Sequence, residues 1–448
     1  MATLTLVSAA GEQPLLDTGS RQTVLIGRAP ECDVVLANPE VSSRHVRLAQ
    51  TPQGWMIEDL DSANGTELDG VPLTRMAPLP AGASIMLGGA VHLAFADSST
   101  AAPAAVPAAS DADLALVRDM RARTERIRQE VAKVIVGQVE IIDQVLMVLI
   151  AGGHGLLIGM PGMAKTTLVA TIAKVLDMDF RRVQFTPDLM PTDITGTEIL
   201  ETDPVTRQKR FRFVKGPVFT NLLLADEINR TPPKTQAALL EAMQEKCVTV
   251  GNETYTLDPP FFVLATQNPI EQEGTYPLPE AQQDRFMFNL WVDYPREDEE
   301  EQIVKATTVA SGATPQKVVS QQELLQLQRV VRKIPVSDHV IKYAIRLVRA
   351  TRPADEKAPD FIKKYVHNGA GPRAGQFLIL AAKARAVLEG RIHVSCGDVA
   401  KAALPVLRHR ILANFAADSE GITPSALVER LLKTIGQPDE KDYRDTSV

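Results

Sequence analysis

The chain has 448 residues, with 48 lysines plus arginines against 55 aspartates plus glutamates, for a formal charge of −7. Hydrophobic residues make up 45% and charged residues 23%, which excludes wholesale disorder and leaves room for about three domains. The acidic balance argues against binding nucleic acid through bulk charge, and the scattered Cys32, Cys247 and Cys396 form neither a disulfide framework nor a zinc motif.

In chain order, residues 23–26, 46–48, 55–57 and 91–95 are short β-prone runs separated by Gly, Pro, Asn and Asp turns. They predict an all-β sandwich over 1–97. Residues 98–112 are rich in Ala and Pro and cannot bury enough surface to offset their ordering entropy, so they read as a semi-extended linker. Apolar runs at 155–158, 222–225 and 261–265 then alternate with helical segments, the pattern of a parallel α/β sheet, assigned to 113–295. Runs at 299–307, 322–332, 337–350, 375–390 and 424–433 have helical periodicity, so 296–448 reads as a small α-helical domain. The N-terminus lacks a secretory pattern, and the most apolar stretch is interrupted by Asp143, Gln144 and His154. The expectation is a cytoplasmic protein without a membrane span.

The strand at 155–158 leads into Gly159-Met160-Pro161-Gly162-Met163-Ala164-Lys165-Thr166, and a helical run starts at Thr167. Strand, glycine loop and helix N-terminus point backbone N–H groups at phosphates. Gly159, Pro161, Gly162, Met163, Ala164, Lys165, Thr166 and Thr167 are the candidate nucleotide-binding residues, with Lys165 on the β- and γ-phosphates and Thr166 on Mg²⁺. Ala164 stands where the general pattern has glycine. The apolar run at 222–225 ends in Asp226-Glu227, carboxylates suited to holding Mg²⁺ and to polarising an attacking water. A third strand ends in Thr266-Gln267-Asn268-Pro269, where Asn268 fits either a water-orienting amide or a plain Asn-Pro turn.

These residues resemble the MoxR family of AAA+ ATPases over about 127–437. The family's GxPGxAKT loop has alanine at the position of Ala164. Leu224 to Arg230 and Lys234 to Glu245 are similar to its Walker B region, Ala265 to Pro269 to its sensor 1, Pro277 to Phe286 to its arginine-finger helix, and Gly371-Pro372-Arg373-Ala374 to its sensor 2. The resemblance implies a hexameric ring with ATP at subunit interfaces, a helical lid, and chaperone-like remodelling of clients, among them proteins with von Willebrand A domains. It implies that Arg285 reaches a neighbour's γ-phosphate and that Arg373 contacts ATP from the lid; the bland alternative for either is a surface salt bridge. It also implies hairpins within 196–216, with Arg207, Lys209, Arg210 and Arg212 on the return strand, and within 248–254. A client grip in the pore and a solvated basic edge are both consistent with them.

The first domain resembles a forkhead-associated (FHA) domain over about 3–95. The resemblance rests on Gly27-Arg28, Val41-Ser42-Ser43-Arg44-His45, Asp61 to Thr66 and Asp69-Gly70. It implies phosphothreonine binding, with Arg28 and Ser42 on the phosphate, Asn64 on the peptide backbone, Ser43 and Arg44 nearby, and His45 bracing the loop. Ser43 and Ala63 depart from the usual pattern. The whole chain then reads as a Mg²⁺-dependent ATPase recruited by phosphothreonine. The rival readings are an ATP-binding scaffold with little turnover and a nucleic-acid-stimulated motor.

Overall fold

The computed structural model describes residues 2–8, 11–17, 23–51, 54–68, 71–73, 76–79, 83–97, 110–202, 209–251, 253–270, 274–308 and 314–437. It divides into two compact units, Met1–Pro107 and Ala108–Val448. The fold class agrees with the expected sandwich, α/β core and helical domain.

In the first unit one sheet runs Gly11–Asp17, Ala2–Ser8, Val91–Asp97, Ser84–Leu87, Thr66–Leu68, Val71–Pro72, and the other runs Val34–Val35, Thr23–Gly27, Val46–Thr51, Gly54–Asp59, Ala77–Pro78. Side chains of period two point inward: Val24 and Ile26, Val46 and Leu48, Trp55 and Ile57, Ile85 and Leu87, Leu93 and Phe95 are all buried. Trp55 meets Phe95 edge-on, with ring centroids 6.0 Å apart.

The expected linker, 98–112, falls mostly outside the described residues. The helix that follows starts at Asp111, because Ser110 forms a capping box: its Oγ accepts from Asp113 N (3.2 Å) while the Asp113 carboxylate accepts from Ser110 N (3.1 Å).

The second unit is built on five parallel strands in the order Phe180–Gln184, Leu222–Asp226, Phe262–Gln267, Gly155–Gly159, Phe288–Val292. Gly155–Gly159 and Leu222–Asp226 are buried at every position, since helices cover both faces. The third sequence-level strand extends through Thr266 and Gln267. The helical domain includes Gln321–Lys333, Asp338–Arg349, Pro372–Leu388, Cys396–Leu407 and Pro424–Ile435, packed through one apolar cluster with the core helices.

Two hairpins leave the core. Gly196–Thr202 pairs with Lys209–Lys215, and Cys247–Val250 pairs with Glu253–Thr256. The first hairpin's turn, with Asp203, Pro204 and Arg207, lies outside the described residues. The hairpins touch: Phe213 stacks on Tyr255 with centroids 4.0 Å apart. Phe211 is 71% exposed beside Arg212, which pairs with Glu201 at 3.4 Å.

Candidate functional site

The phosphate loop follows from a buried strand that stops against a helix N-terminus. Gly159 must lack a side chain, because a Cβ there would lie 2.6 Å from the Val292 carbonyl. Gly162 has φ +84°, and Ala164, immediately before the Lys165–Val175 helix, has φ 54°. The methyl of Ala164 is thus held in the left-handed region, at a cost of about 1–2 kcal/mol. The strain observed there is in the backbone dihedral. Lys165 Nζ donates to the Gly159 carbonyl at 2.5 Å, folded back along the loop. Thr166 and Thr167 stand in the first helical turn beside it.

The carboxylates occupy the same edge of the sheet. Asp226 ends a central strand and is buried, and Glu227 follows in the left-handed region with φ 57°. Thr266 stitches the two strand ends together, since its hydroxyl donates to Asp226 Oδ1 (2.6 Å) and accepts from Glu227 N (2.8 Å). Asn268 lies one residue beyond the Phe262–Gln267 strand, which is adjacent to the Gly155–Gly159 strand, so Asn268 neighbours the phosphate loop. Its Oδ1 accepts from Ile270 N at 3.2 Å. The oxygen closes the turn, and the amide nitrogen has no partner among the described residues.

Sequence reasoning missed the edge strand. Arg182 and Gln184 alternate along Phe180–Gln184, which pairs with the Asp226 strand so that Gln184 lies opposite Asp226. Arg182 Nε donates to Asp226 Oδ2 (2.8 Å), Gln184 Nε2 to Glu227 Oε2 (2.7 Å), and Arg230 Nη1 to the same Glu227 oxygen (2.9 Å). Its letters, Phe-Arg-Arg-Val-Gln, do not alternate apolar and polar residues, so no strand signal stands in the sequence there.

Arg285 and Arg373 lie away from the phosphate loop of their own chain. Phe288 pairs with Gly155 and Val292 with Gly159, so the segment before Phe288 lies at the amino end of the sheet. The phosphate loop leaves from the carboxyl end, about 13 Å away at about 3.3 Å per residue. Arg285 precedes Phe288, and Met287 N donates to the His154 carbonyl (2.7 Å), which anchors this segment at that amino end. Arg373 Nη1 donates to Asp284 Oδ2 at 2.8 Å, so it sits with Arg285 and away from its own phosphate loop. The Arg285 guanidinium has no ion pair among the described residues.

Beside the phosphate loop, between core and helical domain, is a cavity of about 650 Å³ lined by Gln138, Gln144, Asn289, Glu299, Arg408 and Glu429, among others. Gln138 reaches the loop by donating to the Met163 carbonyl at 3.5 Å. Gln138 Oε1, Gln144 Oε1, Asn289 Oδ1 and Arg408 Nε are buried without hydrogen-bond partners. Such orphaned groups are costly, and a base with its ribose offers donors and acceptors of the matching kind. The residues present therefore fit a nucleotide. Burial pushes the Arg408 guanidinium pKa down from its ordinary value.

In the sandwich unit, His45 is fully buried and braces the loop that carries Ser42, Ser43 and Arg44. Its Nδ1 accepts from Ser42 N (3.0 Å) and its Nε2 donates to the Gly65 carbonyl (3.1 Å). Ser42 Oγ accepts from Ala63 N (2.9 Å), and Arg28 N donates to the Ser42 carbonyl (2.9 Å). Gly27 allows that approach, because a Cβ would lie 2.3 Å from the Ser43 carbonyl. Arg28, Ser43 and Arg44 are exposed around this loop. Asn64 Nδ2 donates to the Glu40 carboxylate (2.7 Å) and carbonyl (3.1 Å), a carboxylate that sequence reasoning did not include.

Comparison with known proteins agrees with both units. The profile described as "ATPase family associated with various cellular activities (AAA)" matches residues 154–288, that of the AAA lid domain 361–431, and that of the FHA domain 24–88. Chaperone MoxR1 of Mycobacterium tuberculosis is 43% identical over 317 residues, 70% of this chain and 82% of that protein. A solved structure from Cytophaga hutchinsonii, described as a candidate ATPase, is similar with a TM-score of 0.67 at 43% identity, covering 72% of this chain and 98% of that one. The FHA domain-containing protein FhaB of Mycobacterium tuberculosis is 42% identical over 71 residues, 16% of this chain and 46% of that protein. With Chaperone MoxR1 43% identical over most of both chains, this protein belongs to the MoxR family of AAA+ ATPases and carries an FHA domain ahead of its ATPase core.

Proposed function

We propose that the chain is a Mg²⁺-dependent ATP-hydrolysing remodelling enzyme that works as a homo-oligomeric ring of six in the cytoplasm and is recruited through phosphothreonine recognition. One observation carries this reading: Lys165, Asp226, Glu227 and Asn268 share the carboxyl end of the sheet, whereas Arg285 and Arg373 share the amino end. An arginine side chain cannot cross that separation, so the two half-sites complement each other between copies. A head-to-tail contact that closes generates a ring.

In this reading Lys165 and the loop N–H groups hold the β- and γ-phosphates, and Thr166 and Asp226 hold Mg²⁺. The ion, when bound, neutralises phosphate charge. Glu227 orients the attacking water, and the Asn268 amide donates beside the γ-phosphate. Arg285 and Arg373 of the next subunit add positive charge where the transferring group gains negative charge, worth about 10³–10⁵ in rate for a finger. Gln138, Gln144, Asn289 and Arg408 receive the base and ribose. The hairpin carrying Phe211 and Arg212 grips an extended client, with von Willebrand A domain proteins as the client class. No helix among the described residues is long and apolar enough to cross a membrane.

The test is phosphate release with nucleotide binding measured beside it. Glu227→Gln removes the water-orienting carboxylate, so turnover falls by about 10²-fold or more while ATP affinity holds. The trapped Glu227→Gln protein then captures clients, and those absent from a Glu227→Gln, Arg28→Ala capture are the ones recruited through phosphate. Turnover that survives Glu227→Gln refutes the reading in favour of another base.

A further inference from the structure

Arg410 follows the Cys396–Leu407 helix and is only 8% exposed. A guanidinium has five N–H donors in a fixed fork, and here each has an acceptor. Nε donates to Asp284 Oδ1 (2.7 Å), and Nη2 to the carbonyls of Asp284 (2.9 Å) and Phe286 (2.7 Å). Nη1 donates to the carbonyls of Met287 (3.3 Å) and Val406. Four of those acceptors belong to residues 284–287, the segment that contains Arg285. His409 Nε2 adds a bond to the Phe286 carbonyl at 3.2 Å.

The same guanidinium lies over the Phe377 ring, 5.1 Å from its centroid. Phe377 is one helical turn beyond Arg373, and Arg373 holds the second Asp284 oxygen at 2.8 Å. Burial pushes the Arg410 pKa down to about 10, which leaves it cationic at neutral pH. Removing a charge from water is expensive, and it is repaid only where geometry satisfies every donor. With all five donors engaged, the 284–287 backbone has a single arrangement relative to the helical domain.

We propose that Arg410 is a positioning residue for Arg285, setting where that guanidinium projects toward the next subunit's nucleotide according to the placement of the helical domain. This rests on the reading of Arg285 as a group that acts between subunits. Arg410 touches no reacting atom; it acts through the backbone it grips.

The experiment is a mixture of full-length variants. Arg410→Lys keeps a charge for Asp284 but cannot span the carbonyls of Asp284, Phe286 and Met287 together. Its turnover falls about 10- to 100-fold, with the KM for ATP within about twofold, as for a transition-state group displaced by about 1 Å. Mixing it with Glu227→Gln chains restores turnover, because Glu227→Gln subunits have an intact Arg410–Arg285 unit to lend to an intact Arg410→Lys pocket. Arg285→Ala mixed with Glu227→Gln is the reference. Recovery with Arg285→Ala but not with Arg410→Lys means that Arg410 serves its own pocket, which overturns the proposal, as does wild-type turnover in Arg410→Lys alone. No recovery with Arg285→Ala removes the reading of Arg285 and the proposal with it. If circular dichroism shows Arg410→Lys unfolded, Asp284→Asn takes its place with the same two outcomes.

Discussion

The guanidinium of Arg182 lies on the carboxylate of Asp226, with Nε at 2.8 Å and Nη2 at 2.6 Å from the same Oδ2. A cation from the edge strand therefore already occupies an oxygen of the carboxylate proposed to hold Mg²⁺. Arg182→Ala frees that oxygen. Because Arg182 is half-exposed, the pair is worth at most about 1 kcal/mol, so the Mg²⁺ concentration for half-maximal turnover falls about two- to fivefold. A Mg²⁺ titration of phosphate release at saturating ATP reads this, and an unchanged midpoint rejects the competition.

Ala164 predicts a gain in stability. Glycine at φ 54° removes about 1–2 kcal/mol of left-handed strain and returns about 0.5–1 kcal/mol as unfolded-chain entropy. Ala164→Gly therefore raises the melting temperature of the ATPase unit slightly and leaves ATP binding in place. Differential scanning calorimetry with nucleotide titration checks both, and a lowered melting temperature contradicts the strain assignment.

In the FHA unit two opposite effects are anticipated at one loop. Arg28→Ala removes a guanidinium whose charge-assisted bond is worth about 1.5–3 kcal/mol, so affinity for a phosphothreonine peptide drops about ten- to a hundredfold. Glu40, bonded to Asn64 at 2.7 Å, brings negative charge beside the dianion. Glu40→Gln keeps the acceptor, removes the charge and strengthens binding about two- to fivefold, the scale of an exposed charge pair. Fluorescence anisotropy on the full chain measures both, with an unphosphorylated peptide as reference.

His154 makes stability pH-dependent. Burial, against a weaker opposing hydrogen bond to Met243, pushes its pKa down to about 4 from 6.5. Its Nδ1 accepts from Val263 N at 2.9 Å, so the neutral tautomer is built into the sheet and the added proton has no acceptor. The unfolded chain binds that proton first. The contribution is therefore complete above pH 6.5 and is lost as pH falls from 6.5 toward 4, up to about 3 kcal/mol. His409, also pushed down mainly by burial, adds in the same direction. Urea unfolding across pH 4 to 7 reads the slope, and His154→Gln, which can replace both hydrogen bonds, flattens part of it.

Much of the candidate nucleotide site was legible because its parts are contiguous in the chain. A buried run must be followed by a turn, and the turn at Gly159 to Lys165 and the acidic end at Asp226-Glu227 announce themselves in consecutive letters. The FHA loop is similar, with Arg28, Ser42 and Asn64 near recognisable Gly and Asn turns. The polar partners were not legible. Arg182 and Asp226 are 44 residues apart, and Arg410 and Asp284 are 126 apart. Nothing in the letters near Arg182 or Arg410 separates them from surface arginines.

The sequence by itself determined the order of sandwich, α/β core and helical domain, the phosphate-loop motif, the acidic strand end Asp226-Glu227 and the FHA signature, because hydrophobic period and turn chemistry act over a few residues. The tertiary structure alone decided that Gln184 stands opposite Asp226, that orphaned amides line a cavity next to the loop, and that Arg285 and Arg373 lie at the opposite end of the sheet from Lys165. Strand order and parallel register set those distances, and both are settled by packing between segments far apart in the chain.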